Sequence, residues 1–291
     1  MRIRPLSPAL GAEVLGVDVA SLLKPNVFDA ILTAWGKHLV LTFRDQRLSD
    51  EHLTLFSRRF GALDLAPPAE AANSSGAYVP TMPEVTVISN VNVDGKAIGA
   101  LGAGEAEWHT DMSYSEAPPS ASLLYALEIP TQGGDTSFTN MYAAYETLPS
   151  DLRQAIIGKR AIHDATYTSA GGLRKGVVPT EDVTQTPGAH HPLVRVHPLT
   201  GRKALFLGRR RNGYIPGLSV EESETLLNRL WAHATTPGLV FRHQWKVGDL
   251  VIWDNRCVMH RRDSFDPKSR RIMHRTQVKG EAPIGDVVVP A

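Results

Sequence analysis

Short β-like segments, broken up by glycine and proline, dominate this chain. The sequence contains 24 Gly and 20 Pro among 291 residues. Such frequent interruptions suit strands, which need only about five or six residues each, better than long helices. The pattern therefore predicts a mainly β protein, a barrel or a sandwich rather than a helical bundle, with added helices. The predicted strands are His38–Phe43, Val85–Asn90, Ser122–Ile129, Lys203–Leu207, Leu239–Trp245, Asp249–Trp253 and Arg271–Val278.

Three segments carry helix signals. Ser219, with Glu222 three residues later, forms a capping box, and an apolar stripe follows it until the helix stops before Pro237. The other two predicted helices run from about Val27 to Trp35 and from Ser49 to Phe60. We expect all three to be structural, and the first to pack on the sheet.

The charge balance argues against several classes of partner. With 31 Lys and Arg against 30 Asp and Glu, the formal net charge is +1. No block of like charge offers a binding surface to nucleic acid or to an anionic membrane. No apolar run reaches the ~18 residues that span a bilayer, no export signal is visible, and the lone Cys257 has no cysteine partner for an internal disulfide. We therefore expect a cytoplasmic protein that binds neither nucleic acid nor membrane, while a homo-oligomer stays open.

The length suits one elaborated domain that covers residues 1–291. Two long segments, residues 66–83 and residues 168–192, are rich in residues typical of loops, and loops of this length often serve as lids. No glycine-rich phosphate loop lies between a strand and a helix, which argues against dinucleotide and nucleoside triphosphate chemistry.

His109 and Asp111 are two residues apart, so in an extended chain both side chains point to the same face. A single ion could contact both, although a His-x-Asp tripeptide alone is more often a satisfied polar pair than a metal site. His260 follows an apolar strand far downstream and is a candidate third ligand. Two imidazoles and one carboxylate would leave metal positions open, as in non-haem Fe(II) oxygenases and unlike a closed structural zinc site.

Arg271 and Arg275 share one face of a predicted strand. If that face lines the interior, each guanidinium needs an anionic partner, because an unpaired buried charge is costly. An exposed face of an edge strand with two solvated arginines fits these two residues equally well.

Four spaced motifs together resemble one known family. They are Trp108-His109-Thr110-Asp111, Gly133-Gly134-Asp135-Thr136, Trp253-Asp254-Asn255-Arg256 with His260, and residues 270–275. In order and spacing the chain is similar to the taurine dioxygenase and 2,4-dichlorophenoxyacetate dioxygenase family of Fe(II)- and 2-oxoglutarate-dependent oxygenases. The resemblance extends from about Gly11 to about Gly280, and it implies a double-stranded β-helix, or jelly roll, with added helices.

The resemblance also implies residue roles. The iron ligands fall on His109, Asp111 and His260, and the 2-oxoglutarate-binding residues fall on Thr136 and Arg271. A small anionic substrate would be hydroxylated, with O2 as second cosubstrate and with succinate and CO2 as products. The residues expected at the substrate are Arg275, Asn90 and Met112.

The match is incomplete where the taurine enzyme binds its sulfonate. That enzyme has a histidine shortly after a Phe-Gly pair, and the matching position here is Ala66. Other segments look more like the phenoxyacetate branch, so we expect a carboxylate with a bulky apolar or aromatic tail, and an alkanesulfonate is the alternative. Tyr78 and Tyr114 are candidate pocket walls, and Arg209-Arg210-Arg211 is either a solvated turn or a second anion site.

Two other classes of protein remain open at this point. A zinc-dependent hydrolase could use the same three ligands, but it would leave Thr136 and the paired arginines unexplained. A non-catalytic jelly-roll binding protein would have no use for an intact set of buried ligands.

Overall fold

The computed structural model describes residues 1–66, 79–174, 176–208 and 211–286, and strands dominate it. The largest sheet has eight strands. In their order across the sheet they are β1 Arg2–Pro5, β2 Ala12–Leu15, β3 Val40–Phe43, β16 Leu250–Asp254, β9 Ala121–Glu128, β18 Ile272–Val278, β4 Thr86–Ser89 and β7 Ala100–Leu101.

A second sheet of four strands has the order β15-β10-β17-β8 and is antiparallel throughout. Its strands are β8 Ala106–His109, β10 Thr136–Asn140, β15 Val240–His243 and β17 Val258–Arg262. Smaller pairings join β13 Val194–Val196 to β14 Lys203–Leu205 and β19 Ile284–Gly285, β11 Arg160–Asp164 to β12 Gly188–Pro192, and β5 Asn92–Val93 to β6 Lys96–Ala97.

The main core lies between the two large sheets. Leu124 and Met273 of the eight-stranded sheet belong to the same buried cluster as Phe138 and Met259 of the four-stranded sheet. Two facing sheets with added helices form the jelly roll that the family resemblance implies.

A second apolar cluster covers the outer face of the eight-stranded sheet. The helices α1 Pro25–His38 and α2 Asp50–Arg58 pack there through Ile31 and Phe56. Neighbouring residues of β9 divide between the two clusters, because Leu124 points to the inner one and Leu123 to the outer one. This division follows from the period of two in a strand, and it explains why β9 is apolar on both faces.

The remaining helices of the described ranges are α3 Met141–Glu146, α4 Ser150–Ala155 and α5 Val220–Ala234, with short 3₁₀ turns at Val183–Gln185 and Pro237–Leu239. The predicted capping box is confirmed, since Ser219 accepts from the Glu222 amide while Glu222 accepts from the Ser219 amide. All seven predicted strands and all three predicted helices are present, with ends that differ by at most a few residues. In the described ranges, no helix is both long enough and apolar enough to cross a bilayer.

Candidate active site

Three potential metal-binding side chains converge between the sheets. His109 ends β8, Asp111 follows it by two residues, and His260 lies directly opposite His109 in the paired strand β17. Nε2 of His109 is 3.7 Å from Oδ1 of Asp111, and Nε2 of His260 is 3.8 Å from the same oxygen. All three side chains are buried, and their ligand atoms lie within 4.8 Å of one another.

The ring of His109 is oriented by a backbone contact. Nδ1 of His109 donates to the carbonyl of Glu107 over 2.6 Å. Because the proton is then on Nδ1, Nε2, which lies 3.7 Å from Oδ1 of Asp111, keeps a lone pair that is available to a metal.

The carboxylate and the backbone of Asp111 are each held by a residue that the sequence did not single out for this role. Oδ2 accepts from the Ser122 hydroxyl over 2.6 Å, which leaves Oδ1 directed at the histidines. Asn255 accepts from the Asp111 amide over 2.9 Å and donates to the Asp111 carbonyl over 3.0 Å. Ser122 is in β9 of the eight-stranded sheet, whereas Asp111 follows β8 of the four-stranded sheet, so the packing of the two sheets brings them together.

Electrostatics keep these groups in the protonation states that bind a metal. Burial alone would raise the pKa of Asp111, but the neighbouring His260 and Arg275 hold that pKa well below its usual range. Burial, together with the adjacent His109, lowers the pKa of His260 to about 3. At neutral pH the site therefore offers a carboxylate and a neutral His260 imidazole, the forms that ligate metals.

A cavity of about 610 Å³ opens beside these three residues. Its apolar lining includes Ile88, Leu101, Leu124, Leu173 and Val177, and its polar lining includes Thr136, Arg262, Arg271 and Arg275. Within residues 168–192, a segment expected to act as a lid, Thr168, Ser169 and Arg174 also line the cavity. A cavity of this size suits a small organic ligand.

Thr136 and Arg271 both line the cavity and are both almost fully buried. The Thr136 hydroxyl accepts from Trp245 Nε1 over 3.0 Å, so its own proton is free to be donated to a ligand. Burial and the nearby charge of Arg262 lower the pKa of Arg271 to about 9. Its Nε is buried and has no hydrogen-bond partner among the described residues. A buried donor of this kind is usually paired, and a bound anion would supply the acceptor.

Two glycines let a turn approach Arg271 closely. Gly133 and Gly134 have φ of 77° and 70°, a region that other residues rarely adopt. A side chain at Gly133 would put Cβ 2.6 Å from the carbonyl oxygen of Ser264, and one at Gly134 would put Cβ 3.4 Å from Nε of Arg271. The Gly-Gly-Asp-Thr motif thus brings Thr136 and Arg271 to one end of the cavity.

The substrate residues expected from sequence are in different surroundings. Arg275 lines the cavity, with Nη1 3.6 Å from Oδ1 of Asp111 and a buried Nε that has no partner in the described part of the chain. Met112 also lines it, and its φ of 49° is unusual for a residue with a side chain. The structure does not bring Asn90 there. Its amide donates to Pro267 and Ser269 and accepts from the Arg271 backbone, so it anchors the chain before β18.

The other candidates divide between described and undescribed parts of the chain. Tyr114 lines the cavity, and the guanidinium carbon of Arg174 lies 4.0 Å from its ring centre. Tyr78, most of residues 66–83 and two members of the arginine run, Arg209 and Arg210, lie outside the described residues. The third member, Arg211, is exposed and donates to the carbonyl of Gly171 over 3.0 Å.

Comparison with known proteins identifies the family. Residues 2–277 match the family model described as "Taurine catabolism dioxygenase TauD, TfdA family". The chain belongs to this family. It is an Fe(II)- and 2-oxoglutarate-dependent dioxygenase.

Relatives of this dioxygenase match it over nearly its full length. It is 36% identical to the alpha-ketoglutarate-dependent 2,4-dichlorophenoxyacetate dioxygenase of Cupriavidus pinatubonensis, with 96% of this chain and 97% of the relative covered. It is 33% identical to the (S)-phenoxypropionate/alpha-ketoglutarate-dioxygenase of Sphingobium herbicidovorans, with 96% and 95% covered. Among solved structures, AAD-2 in complex with Mn(II) and N-oxalylglycine is 32% identical, with a TM-score of 0.78 and 97% and 98% covered.

Family membership decides between the classes that the sequence left open. The dioxygenase is neither a zinc hydrolase nor a non-catalytic binding protein, and its cofactor and cosubstrates are Fe(II), 2-oxoglutarate and O2. The donor atoms described above fit such a metal, because two imidazole nitrogens and one carboxylate oxygen approach from one side and leave the cavity side open.

Proposed function

We propose that His109, Asp111 and His260 hold Fe(II) as a facial triad. The observation that carries this proposal is the convergence of both Nε2 atoms on Oδ1 of Asp111 at the wall of the cavity. The contacts of Glu107 and Ser122 support it, since each directs a ligand atom towards the shared centre.

In this proposal Thr136 and Arg271 bind the distal carboxylate of 2-oxoglutarate. Arg271 has a buried, unpartnered Nε among the described residues, and Thr136 has a hydroxyl proton to donate. A guanidinium can bind a carboxylate through two hydrogen bonds, which would fix the cosubstrate with its keto acid end towards the metal.

The substrate is proposed to be a small carboxylate with an apolar or aromatic tail, such as an aryloxyalkanoate. Arg275 supplies a cation near the metal site, and Leu124, Leu173 and Val177 supply apolar walls. The relatives named for phenoxyacetate and phenoxypropionate substrates support the same class. Ala66 adds no polar group at the position where the taurine enzyme has its sulfonate-binding histidine.

The chain's own contribution is orientation and the exclusion of water. Fe(II), 2-oxoglutarate and O2 together supply the oxidising chemistry when they are bound. Arg275 would hold the anionic end of the substrate so that one C–H bond faces the open side of the metal, and the cavity walls would restrict the substrate to that pose. Residues 168–192 are proposed to close over the bound ligands, which would keep water from the reaction. A cytoplasmic location and the state of assembly stay predictions.

A panel of anions tests the substrate class. Purified dioxygenase with Fe(II) and 2-oxoglutarate should form succinate faster with aryloxyalkanoates than with taurine, as judged by kcat/KM for each compound. A matched neutral control, the methyl ester of the best aryloxyalkanoate, should stimulate succinate formation only slightly because it lacks the negative charge that Arg275 would bind. Preference for taurine or another short alkanesulfonate would contradict the carboxylate proposal, while leaving the metal and cosubstrate roles intact.

A further inference from the structure

A second arginine lines the cavity near Arg271. Arg262 lies two residues after His260 in β17, so both side chains leave the same face of the strand. Only 6% of Arg262 is exposed, and it belongs to the cavity lining. Nη2 donates to the carbonyls of Leu101 and Gly104, while Nε is buried without a hydrogen-bond partner in the described ranges.

Strand pairing puts Arg262 at the same end of the cavity as Thr136 and Arg271. Thr136 is directly opposite Arg262 in the antiparallel pair of β10 and β17. The charge of Arg262 is close enough to Arg271 to disfavour protonation of Arg271. Arg275 is four residues beyond Arg271 on β18, roughly 13 Å along an extended backbone, and its guanidinium is near Asp111 instead. We call Thr136, Arg262 and Arg271 the cationic end.

The two guanidiniums of the cationic end lack an acidic side chain of their own. Among the described residues neither Arg262 nor Arg271 forms an ion pair, and the nearest acid that acts on Arg271, Asp135, is paired with Arg242 over 3.0 Å. Two like charges buried close together repel each other, and that repulsion is relieved when an anion lies between them. Such a pair is costly in a protein that does not bind an anion there.

We propose that Arg262 is a second cosubstrate-binding arginine, so that the distal carboxylate of 2-oxoglutarate is bound between Arg262, Arg271 and the Thr136 hydroxyl. This inference rests on the proposed function, because it concerns the same cosubstrate site. A carboxylate has two oxygens with about four acceptor positions, enough for two guanidiniums and one hydroxyl. Arg262 is thereby a determinant of cosubstrate choice, favouring keto acids with a distal negative charge over those without one.

Binding of two keto acids tests this role without turnover. The Mn(II)-loaded protein is titrated anaerobically, in a calorimeter, with 2-oxoglutarate and with 2-oxopentanoate, which has the same chain length but no distal carboxylate. Arg262→Gln should weaken the binding of 2-oxoglutarate about ten- to a hundred-fold, as expected for the loss of a hydrogen bond to a charged group. It should change the affinity for 2-oxopentanoate less than about twofold.

Arg261→Gln is the matched control. Arg261 is the preceding residue, points away from the cavity, and pairs with Glu105 over 2.9 Å at the surface. The Arg261→Gln substitution removes the same charge from the same strand. Because this side chain is outside the cavity, the substitution should leave the affinities for both keto acids unchanged. Arg262→Lys keeps the charge without the planar fork, and it should retain part of the preference for 2-oxoglutarate, which covers the case in which Arg262→Gln does not fold.

The outcomes separate this inference from the proposed function. The role of Arg262 would be overturned if its folded variants bound both keto acids equally more weakly, or bound both as tightly as the wild type does. A residue that only supports Leu101 and Gly104 would not distinguish the two ligands. A wild-type protein that binds neither keto acid would overturn the proposed cosubstrate site and this inference with it. The double variant Arg262→Gln/Arg271→Gln should lower the affinity for 2-oxoglutarate by a smaller factor than the product of the two single-variant factors, because both groups bind one carboxylate.

Discussion

At the scale of single residues, the site depends on side chains that orient the proposed ligands as well as on the ligands themselves. Oδ2 of Asp111 is occupied by the Ser122 hydroxyl, and the backbone of Asp111 is tied to Asn255 at both its amide and its carbonyl. Contacts of this kind commonly account for 10- to 100-fold in metal affinity, because they fix the direction in which the ligand oxygen points.

Ser122→Ala should weaken Mn(II) or Fe(II) binding by about 10- to 100-fold while the protein stays folded. Metal titration under anaerobic conditions measures the effect, and circular dichroism checks the fold. Ser120→Ala is the control, since the Ser120 hydroxyl contacts the backbone carbonyl of Lys279 rather than Asp111. Wild-type metal affinity in folded Ser122→Ala would show that this hydrogen bond does not orient Asp111.

Arg271 and Arg275 should fail in different ways. Arg271→Gln should raise the KM for 2-oxoglutarate, with a loss of ~2 to 5 kcal/mol if a charge-assisted pair is broken. Arg275→Gln should raise the KM for the primary substrate and leave substrate-independent turnover of 2-oxoglutarate measurable. Metal affinity must be compared as well, because Arg275 is also 3.6 Å from Asp111. The same kinetic defect in both variants would refute this division of roles.

At the scale of elements, β18 is held in place by the helix behind it. Nδ1 of His274 contacts Oδ1 of Asp50 at 2.5 Å, and the Ser57 hydroxyl contacts that of Thr276 at 2.7 Å, so α2 is tied to β18 at two points. His274 and Arg275 are neighbours and point to opposite faces, so the outward contact fixes the strand whose inward face carries Arg275.

The Asp50 contact should make stability depend on pH. Burial alone would raise the pKa of Asp50, but hydrogen bonds from His274 and Thr81 lower it below the usual value. A carboxyl whose pKa is lowered by folding stabilises the protein above its unfolded pKa of about 3.9, and that stabilisation is lost as the pH falls through the lowered value.

Asp50→Asn should therefore reduce the free energy of unfolding at pH 7 by about 1 to 3 kcal/mol. The difference from wild type should begin to shrink as the pH falls below about 4, where the carboxyl of the unfolded chain becomes protonated, and it should disappear below the lowered native pKa. Urea denaturation across this pH range measures both. Asp182→Asn, at an exposed 3₁₀ turn, is the control and should reduce the free energy of unfolding less than Asp50→Asn does. A deficit for Asp50→Asn that persists unchanged well below pH 3 would mean that the charge is not the cause.

At the scale of the whole molecule, the cavity lies between the two large sheets, and its polar groups come from both of them. Arg271 and Arg275 belong to the β18 region of one sheet, whereas Thr136, His260 and Arg262 belong to the other. A ligand that contacts both sets connects the sheets, and binding to the folded state alone must raise stability.

Mn(II) and 2-oxoglutarate together should raise Tm. At 100 times the dissociation constant the expected stabilisation is ~2.7 kcal/mol, which corresponds to several °C for a domain of this size. Scanning calorimetry with each ligand alone and with both measures the effect. The same additions to Asp111→Asn should give a much smaller metal-dependent rise, and an equal rise in that variant would argue against Asp111 as a ligand.

The sequence by itself determined the features that depend on local spacing. The strand periods, the Ser219 capping box and the shared face of His109 and Asp111 all follow from positions a few residues apart. The family resemblance added the jelly roll and the reaction class, and the comparisons confirm both. The assignment of individual site residues stays a prediction that the geometry supports.

Only the tertiary structure decided which faces are inside. A period of two says that Arg271 and Arg275 share a face, but whether that face meets solvent or a cavity depends on which sheet packs against it. The same holds for Arg262 and Ser122, which look like ordinary strand residues until β17 pairs with β10 and the two large sheets pack against each other. Asn90, expected at the substrate, instead anchors the Arg271 backbone. The physical reason is that burial of distant apolar strands against one another selects the pairing, and no spacing along the chain encodes it.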